Sequence, residues 1–283
     1  MRGAIVGLLL TGFIISLLAR PVIAEDGQKI KQNSVREGVS EELRLWVDAR
    51  AGTGTPVHWI ASGGVFEYPT GKKLFGMVGF DSSRVIWPSK KGGAIIHLTR
   101  KTFAYTDPVT DEILTEYNGK RVAPIAYPYQ MITYRFENSM IFGDVEQGAG
   151  DAIQQIKMKD GMGMRWLGRD TLVVTAPIFL DFPLPNGSRY EAWENYDFFL
   201  HKGDKIDEPY QMSWQRYGAL PPWAGTGKAI YHLVSWRVEN ESQFPVKLLA
   251  WARADMPMWL VPPSGIDEIR ALQLGTAGEG WAK

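Results

Sequence analysis

Cysteine does not occur in this sequence of 283 residues, and histidine occurs only four times. Without thiols, the chain forms no disulfide, thiolate zinc site, iron–sulfur cluster or cysteine nucleophile. The histidines fall on separate segments without the HExxH spacing of a zinc motif, and neither a complete phosphate-binding loop nor a complete dinucleotide fingerprint is present. We therefore expect no metal and no cofactor, and stability that comes from buried apolar surface.

An excess of charge of either sign is also missing, because 31 Lys and Arg residues are balanced by 31 Asp and Glu residues. Binding to nucleic acid or to an anionic membrane surface requires concentrated positive charge. We therefore expect no nucleic-acid partner.

Long apolar runs are scarce, and the longest uncharged stretch, residues 3–19, follows Arg2 and ends at Arg20. It is shorter than the roughly 20 residues that span a bilayer. A basic start, a short apolar stretch and small residues at its end are typical of a cleavable secretion signal. We expect cleavage after Ala24, export to the periplasm or the extracellular space, and no permanent membrane anchor. A lipid anchor would need a cysteine at the cleavage point, and the chain has none.

The expected domain organisation is a signal peptide over residues 1–24, a disordered leader over 25–38 and a single β-rich domain over 39–283. The leader is polar and has no apolar period, which is typical of a segment that does not fold alone. Removing 24 of the 283 residues leaves 259. That length suits one large β-sandwich or barrel.

Between Val57 and Glu239, short runs rich in β-branched and aromatic residues alternate with turn clusters such as PTGKK, PSKKGG and PNGS. This pattern predicts antiparallel strands, and no long helical period interrupts it. The fold class is therefore mainly β, an antiparallel β-barrel or sandwich, with a calycin-like barrel among the candidates. A short N-terminal helix from Ser40 to Gly52 and one or two C-terminal helices, over 242–253 and 265–274, complete the prediction.

Four segments carry a resemblance to a known family. They are LFGMVGF at 74–80, HLTRKTFAYTDPVTDEIL at 97–114, YEAWENYDFFLHKGD at 190–204 and MSWQRYGALPPWAGTGKAIYH at 212–232. In order and spacing they resemble the bacterial and fungal domain-of-unknown-function family 1838. The resemblance implies an exported, single-domain protein, and it supplies no catalytic residues.

Aromatic residues are abundant, with 11 Trp, 11 Tyr and 12 Phe. Side chains two positions apart on a strand share a face, so Glu194 and Tyr196 share one, and Trp214 and Arg216 share another. A barrel lumen that holds a small ligand needs apolar walls with a few polar groups. These segments fit that description, and an apolar or aromatic small molecule is the expected partner.

The hypothesis is a pocket in which four residues act as acids, bases or oxyanion stabilisers: Glu194, Tyr196, Arg216 and His232. Six residues are expected to bind the substrate: Trp193, Trp214, Trp223, Trp236, Arg100 and Tyr105. The alternative is a purely structural role, in which Glu194 and Arg216 form an ordinary cross-strand ion pair, Tyr196 is a core residue and His232 is half-buried and hydrogen-bonded.

Three functions remain open at this point. One is an enzyme that performs hydration, elimination or isomerisation by acid–base chemistry, without metal or nucleotide. Another is a noncatalytic, lipocalin-like carrier of a similar molecule. A protein-binding scaffold is the third, and an exposed aromatic patch would favour it.

Export is directly testable. Protein expressed with its natural N-terminus should be recovered in soluble, exported form and should begin near Glu25, because the apolar stretch is too short to anchor it. N-terminal sequencing of the periplasmic or secreted fraction measures this. Full-length protein retained in the membrane fraction would contradict the prediction.

Overall fold

The computed structural model describes residues 38–90, 92–149, 152–158, 160–183, 189–203 and 209–274. The predicted signal peptide, and the predicted leader up to residue 37, lie outside these ranges. None of the helices in the described ranges is long and apolar enough to cross a bilayer.

Eleven strands form one antiparallel sheet in the order β8-β7-β6-β3-β2-β1-β13-β12-β11-β10-β9. Their bounds are β1 Val57–Glu67, β2 Lys73–Ile86, β3 Ile95–Thr106, β6 Ile125–Glu137, β7 Met140–Ala149, β8 Ala152–Lys157, β9 Gly163–Leu167, β10 Thr171–Pro183, β11 Arg189–His201, β12 Gln211–Ala219 and β13 Lys228–Val238. A separate small hairpin joins β4, Glu116–Tyr117, to β5, Lys120–Arg121. The mainly β, antiparallel prediction is confirmed.

The sheet curls into a half-barrel rather than dividing into the two layers of a sandwich. Its two ends approach each other where the Met162 amide donates to the Ile141 carbonyl over 2.6 Å. Close strand approach inside the curve leaves no room for a side chain at Gly63, where an added Cβ would lie 2.0 Å from the His232 carbonyl oxygen. Twist accumulated over many antiparallel strands is the physical origin of this curvature.

Helix α1, Glu41–Ala51, packs against the concave face of the half-barrel. The Ser40 hydroxyl accepts a hydrogen bond from the Leu43 amide over 3.2 Å, and Gly52 ends the helix, as the sequence predicts. Trp46 is 4.7 Å from Phe198 between ring centroids, in an edge-to-face contact. The helix therefore fills one part of the interior with apolar side chains.

A buried ion pair ties α1 to the sheet. Arg50 Nη2 lies 2.9 Å from Asp81 Oδ2 on β2, and both side chains are buried. The Arg50 guanidinium also lies over the Trp59 ring, 5.0 Å from its centroid. Burial opposes ionisation of Asp81, but Arg50, Lys101 and a hydrogen bond from Ser83 outweigh it and lower its pKa to about 2.

The C-terminal helices cover the outer face. Helix α2, Val246–Asp255, packs with Phe80 and Val238, while α3, Ile266–Gln273, packs with Leu98 and Tyr129. Two C-terminal helices are thus confirmed. However, α2 begins at Val246 and not at residue 242, because Asn240 caps a separate 3-10 turn over Glu241–Gln243.

Asp81→Asn should lower the free energy of unfolding by about 3–5 kcal/mol at neutral pH, because it leaves the Arg50 charge buried without a partner. Asp144→Asn is the matched control; it removes a partner from the exposed ion pair with Arg135 and should cost about 1 kcal/mol or less. Urea unfolding measures both changes.

The same pair predicts a pH dependence. Because folding lowers the pKa of Asp81, its contribution to stability is complete above the unfolded value of 3.8 and is lost as the pH falls towards about 2. The stability gap between the wild type and Asp81→Asn should narrow over that window. A gap that stays constant from pH 5 to pH 2 would contradict this assignment.

Candidate functional site

Beyond α1, the concave face carries polar and aromatic side chains from strands on both sides of the half-barrel. Most of these side chains are partly exposed, and Glu194 among them is buried. Strands β3 and β6 supply Lys101, Phe103 and Tyr127, and strands β11 and β12 supply Glu194, Tyr196, Trp214 and Arg216. We call these seven residues the concave site.

The carboxylate of Glu194 is the most constrained group of the concave site. It is 8% exposed. Its Oε2 accepts a hydrogen bond from the Tyr196 hydroxyl over 2.9 Å and another from Trp214 Nε1 over 3.2 Å. Arg216 faces it across the strand pair, with 3.8 Å between Nη1 and Oε1. Burial raises the pKa of Glu194, and the two hydrogen bonds offset only part of that effect.

Lys101 lies on the opposite wall, directly across from Asp81 in the β2–β3 register. Within the part of the chain that the structure describes, no side chain forms a hydrogen bond or a close ion pair with its ammonium group. Burial lowers the pKa of Lys101 to about 8, against the opposing influence of Asp81 and Glu194. The site therefore contains an amine that is partly neutral near physiological pH.

Three tyrosines lie along the interior: Tyr127, which belongs to the concave site, and Tyr105 and Tyr231, which extend it. Burial raises the pKa of each, so all three hydroxyls stay protonated and can donate hydrogen bonds. The Tyr231 hydroxyl donates to the Ala219 carbonyl over 2.8 Å. Arg216 lies over the Tyr231 ring, 5.3 Å from its centroid.

A buried hydrogen-bonded chain runs from Asp81 towards α1. Ser83 donates to Asp81 Oδ1, His97 Nε2 lies 2.9 Å from Ser83 Oγ, and His97 Nδ1 lies 3.0 Å from the Tyr134 hydroxyl. Burial lowers the pKa of His97 well below its usual value, so this imidazole is neutral. This series of hydrogen bonds therefore orients Asp81 without adding a charge.

A family comparison covers the same region of the chain. The family model described as "Protein of unknown function (DUF1838)" matches residues 57–272. The chain belongs to the DUF1838 family. No curated protein and no solved structure matches it. The matched range runs from the first residue of β1 into α3 and includes every member of the concave site.

In this DUF1838 protein, five of the residues selected from the sequence lie on the inner face: Glu194, Tyr196, Trp214, Arg216 and Tyr105. The face that Glu194 shares with Tyr196, and the face that Trp214 shares with Arg216, are as the strand alternation predicts. Cross-strand pairing then unites the two predicted faces, since Glu194 is opposite Arg216 and Tyr196 is opposite Trp214.

The structure corrects the placement of His232, which was expected beside Glu194. His232 is exposed on the outer face of β13, because Tyr231 and Leu233 on either side of it point inwards. Its Nε2 lies 3.4 Å from the Ser213 hydroxyl, also on the outside. Alternation along β13 therefore removes His232 from the pocket.

Trp193 and Trp236 also lie on the outer face and do not line the concave site. Trp236 packs against the α2 side of the sheet. Trp193 belongs to a cross-strand row on the outer surface, between Phe179, which is 75% exposed, and Tyr217. The expectation that these two tryptophans form pocket walls is therefore wrong, because each alternates with an inward-facing neighbour.

Arg100 lies on the outer face of the sheet. Its guanidinium donates to the carbonyl oxygens of Pro128 and Val261 and pairs with Glu268 on α3, all on the outer face. It therefore attaches the C-terminal helix to the sheet. The expected substrate-binding role of Arg100 has no counterpart in the concave site.

Trp223 lies at the end of the half-barrel opposite α1. Its ring contacts Tyr105 and Phe75, each at 4.9 Å between centroids. Phe75 also lines a cavity of about 330 Å³ between the β1–β2 and β12–β13 connections. Trp223 thus contacts residues of both the interior and this outer cavity, and its substrate-binding role stays a prediction.

Sequence reasoning missed Lys101 and Tyr127. The available signal was a row of polar residues at every second position of β3, at His97, Thr99 and Lys101, although Arg100 and Thr102 make the opposite face polar as well. Alternation alone does not tell which face of a strand is concave. Only the curl of the sheet brings Lys101 of that row near Glu194 on β11.

The raised pKa of Glu194 predicts how the stability of the protein depends on pH. Because the folded state binds this proton more tightly than the unfolded chain, the wild type should gain stability relative to Glu194→Gln as the pH falls from 7 to about 4.5. Glu191→Gln, on the outer face of the same strand, is the control and should show no such trend. Urea unfolding at several pH values checks this, and a relative loss of wild-type stability over that range would overturn the assignment.

Proposed function

We propose that the concave site binds an apolar or aromatic small molecule and that Glu194 exchanges a proton with it, in a hydration, elimination or isomerisation. The proposal rests on the buried carboxyl of Glu194. Hydrogen bonds from Tyr196 and Trp214 orient this carboxyl, and burial raises its pKa. Carboxyls with perturbed pKa values in clefts are candidates for acid–base catalysis.

The aromatic side chains of the concave site favour one class of substrate. Phe103, Tyr127, Tyr196 and Trp214 are partly exposed to the interior and present aromatic surface. Aromatic walls favour apolar and aromatic ligands, and the few polar groups among them set the ligand's orientation. The balanced charge of the chain gives no separate preference for nucleotides or other polyanions.

The proposed mechanism assigns one task to each polar group. Glu194 takes or gives the proton, because a pKa nearer neutrality lets a carboxyl act in both directions. The hydrogen bonds from Tyr196 and Trp214 fix its orientation. Arg216 and Lys101 supply positive charge that stabilises an oxyanion or enolate as it forms.

A carrier is the second candidate, and a specific observation favours it. Glu194 Oε2 already accepts two hydrogen bonds and Oε1 faces Arg216, so the carboxylate is satisfied without a substrate. A lipocalin-like carrier would use the same aromatic walls and need no proton transfer. In either case we propose that the protein acts after export and cleavage near Ala24.

One set of variants separates enzyme from carrier. A panel of apolar and aromatic compounds is first screened by tryptophan fluorescence, and those that bind are followed for conversion. For the enzyme, Glu194→Gln should reduce turnover by about 100-fold or more while ligand affinity changes little, because a general acid or base typically contributes that much. His232→Ala, on the outer face, is the matched control and should keep wild-type turnover.

The carrier predicts a different pattern. No compound that binds would be converted, Glu194→Gln would alter only affinity, and Trp214→Ala would weaken binding by about tenfold or more, because lost wall area counts roughly 25 cal/mol per Å². If only phosphorylated compounds bound, the apolar site would be wrong in both forms.

A further inference from the structure

We propose that Lys101 is a nucleophile that forms an imine with the carbonyl group of an aldehyde or ketone bound in the concave site. The inference rests on the proposed function, because it uses the same interior and the same proton-transferring carboxyl. It adds a covalent step and a substrate class that acid–base chemistry by Glu194 does not require.

The charges of the interior single out Lys101. Arg50 is paired with Asp81 at 2.9 Å, and Arg216 faces Glu194 at 3.8 Å. Each carboxylate of the interior therefore has its own guanidinium. Of the other described cations on these walls, Arg237 donates to the Asp48 and Ala49 carbonyls of α1. Lys101 has no such partner among the described residues, and it lies beside one ion pair and across from the other.

A buried lysine that has no carboxylate partner of its own favours its neutral form. Taking an ammonium group out of water favours the neutral amine, and Arg50 adds repulsion. With a pKa of about 8 in place of 10.5, the neutral fraction at pH 7 is larger by roughly 300-fold than for an ordinary lysine. The neutral amine is the form that attacks a carbonyl carbon.

Lys101 also has the surroundings that imine formation needs. No residue that the structure describes holds its nitrogen in a close hydrogen bond or ion pair, so once the ammonium group has lost its proton, the lone pair of the neutral amine is free to react. Glu194 is near enough that each group shifts the pKa of the other. Lys101 is partly exposed to the interior, so a small ligand can reach it.

The step balances with the groups present. The Lys101 nitrogen forms a bond to the carbonyl carbon while the C=O π bond opens, and the oxygen takes a proton from the Glu194 carboxyl. The nitrogen then returns a proton to Glu194. Glu194 delivers it to the hydroxyl group, which leaves as water while the nitrogen lone pair forms the C=N bond. The net change is amine, carbonyl and one proton to protonated imine and water.

The walls define which carbonyl compounds fit. Phe103, Tyr127 and Trp214 favour an aromatic or apolar body on the carbonyl carbon. The protonated imine places a positive charge close to Asp81 and Glu194, which stabilise it. We therefore expect aromatic aldehydes and ketones to react in preference to sugars or small polar aldehydes.

Reductive trapping tests the proposal on the full chain. Protein at pH 7 is treated with benzaldehyde and cyanoborohydride, and acetaldehyde is used in parallel as a smaller probe. Lys101 should gain the mass of benzaldehyde less one oxygen atom, at least tenfold faster than the exposed Lys228 and Lys247, as measured by peptide mass spectrometry. Lys101→Arg keeps the charge and Lys101→Met keeps the length, and both should lose this adduct.

The controls separate this inference from the proposed function. Lys247→Arg, on the outer surface, should label at Lys101 as the wild type does, and circular dichroism checks that each variant is folded. If neither probe labels Lys101 faster than the surface lysines, the nucleophile proposal is wrong. Glu194-dependent turnover or tryptophan-detected binding that is still observed in the wild type would then leave the proposed function standing without it.

Discussion

The buried pair between Arg50 and Asp81 is the interaction on which the interior depends. It is a buried ion pair between α1 and the curled sheet, and it holds the helix against the concave face at one end of the half-barrel. Its cost is desolvation of two charges, which a good ion-pair geometry and the extra hydrogen bond from Ser83 offset. Beyond α1, the concave face carries the side chains of the concave site, most of them partly exposed.

That arrangement explains why the concave site is polar in its middle and apolar at both ends. Helix α1 brings Trp46 to one end, and Trp223 packs on Phe75 and Tyr105 at the other. The charged groups lie between these aromatic ends. Burial disfavours their ionised forms, which raises the pKa of Glu194 and lowers that of Lys101.

Local elements were the predictable part of this protein. The cap at Ser40, the stop at Gly52 and the strand series from Val57 follow from short-range rules of capping, alternation and turn chemistry. The α2 start was misplaced, because a separate capped turn before Pro245 carries similar helix signals. Membership of the DUF1838 family was also recognisable, since its strings span β2 to β13.

The sequence by itself determined the element types and which side chains share a face, because both depend on neighbours a few residues apart. Only the tertiary structure decided which face is concave. Strand alternation has two equivalent phases, so Glu194 and His232 looked alike until the curl turned one inwards and the other out. Lys101 entered the site for the same reason: its partners lie on strands distant in sequence, and only the closing of the sheet brings them opposite it.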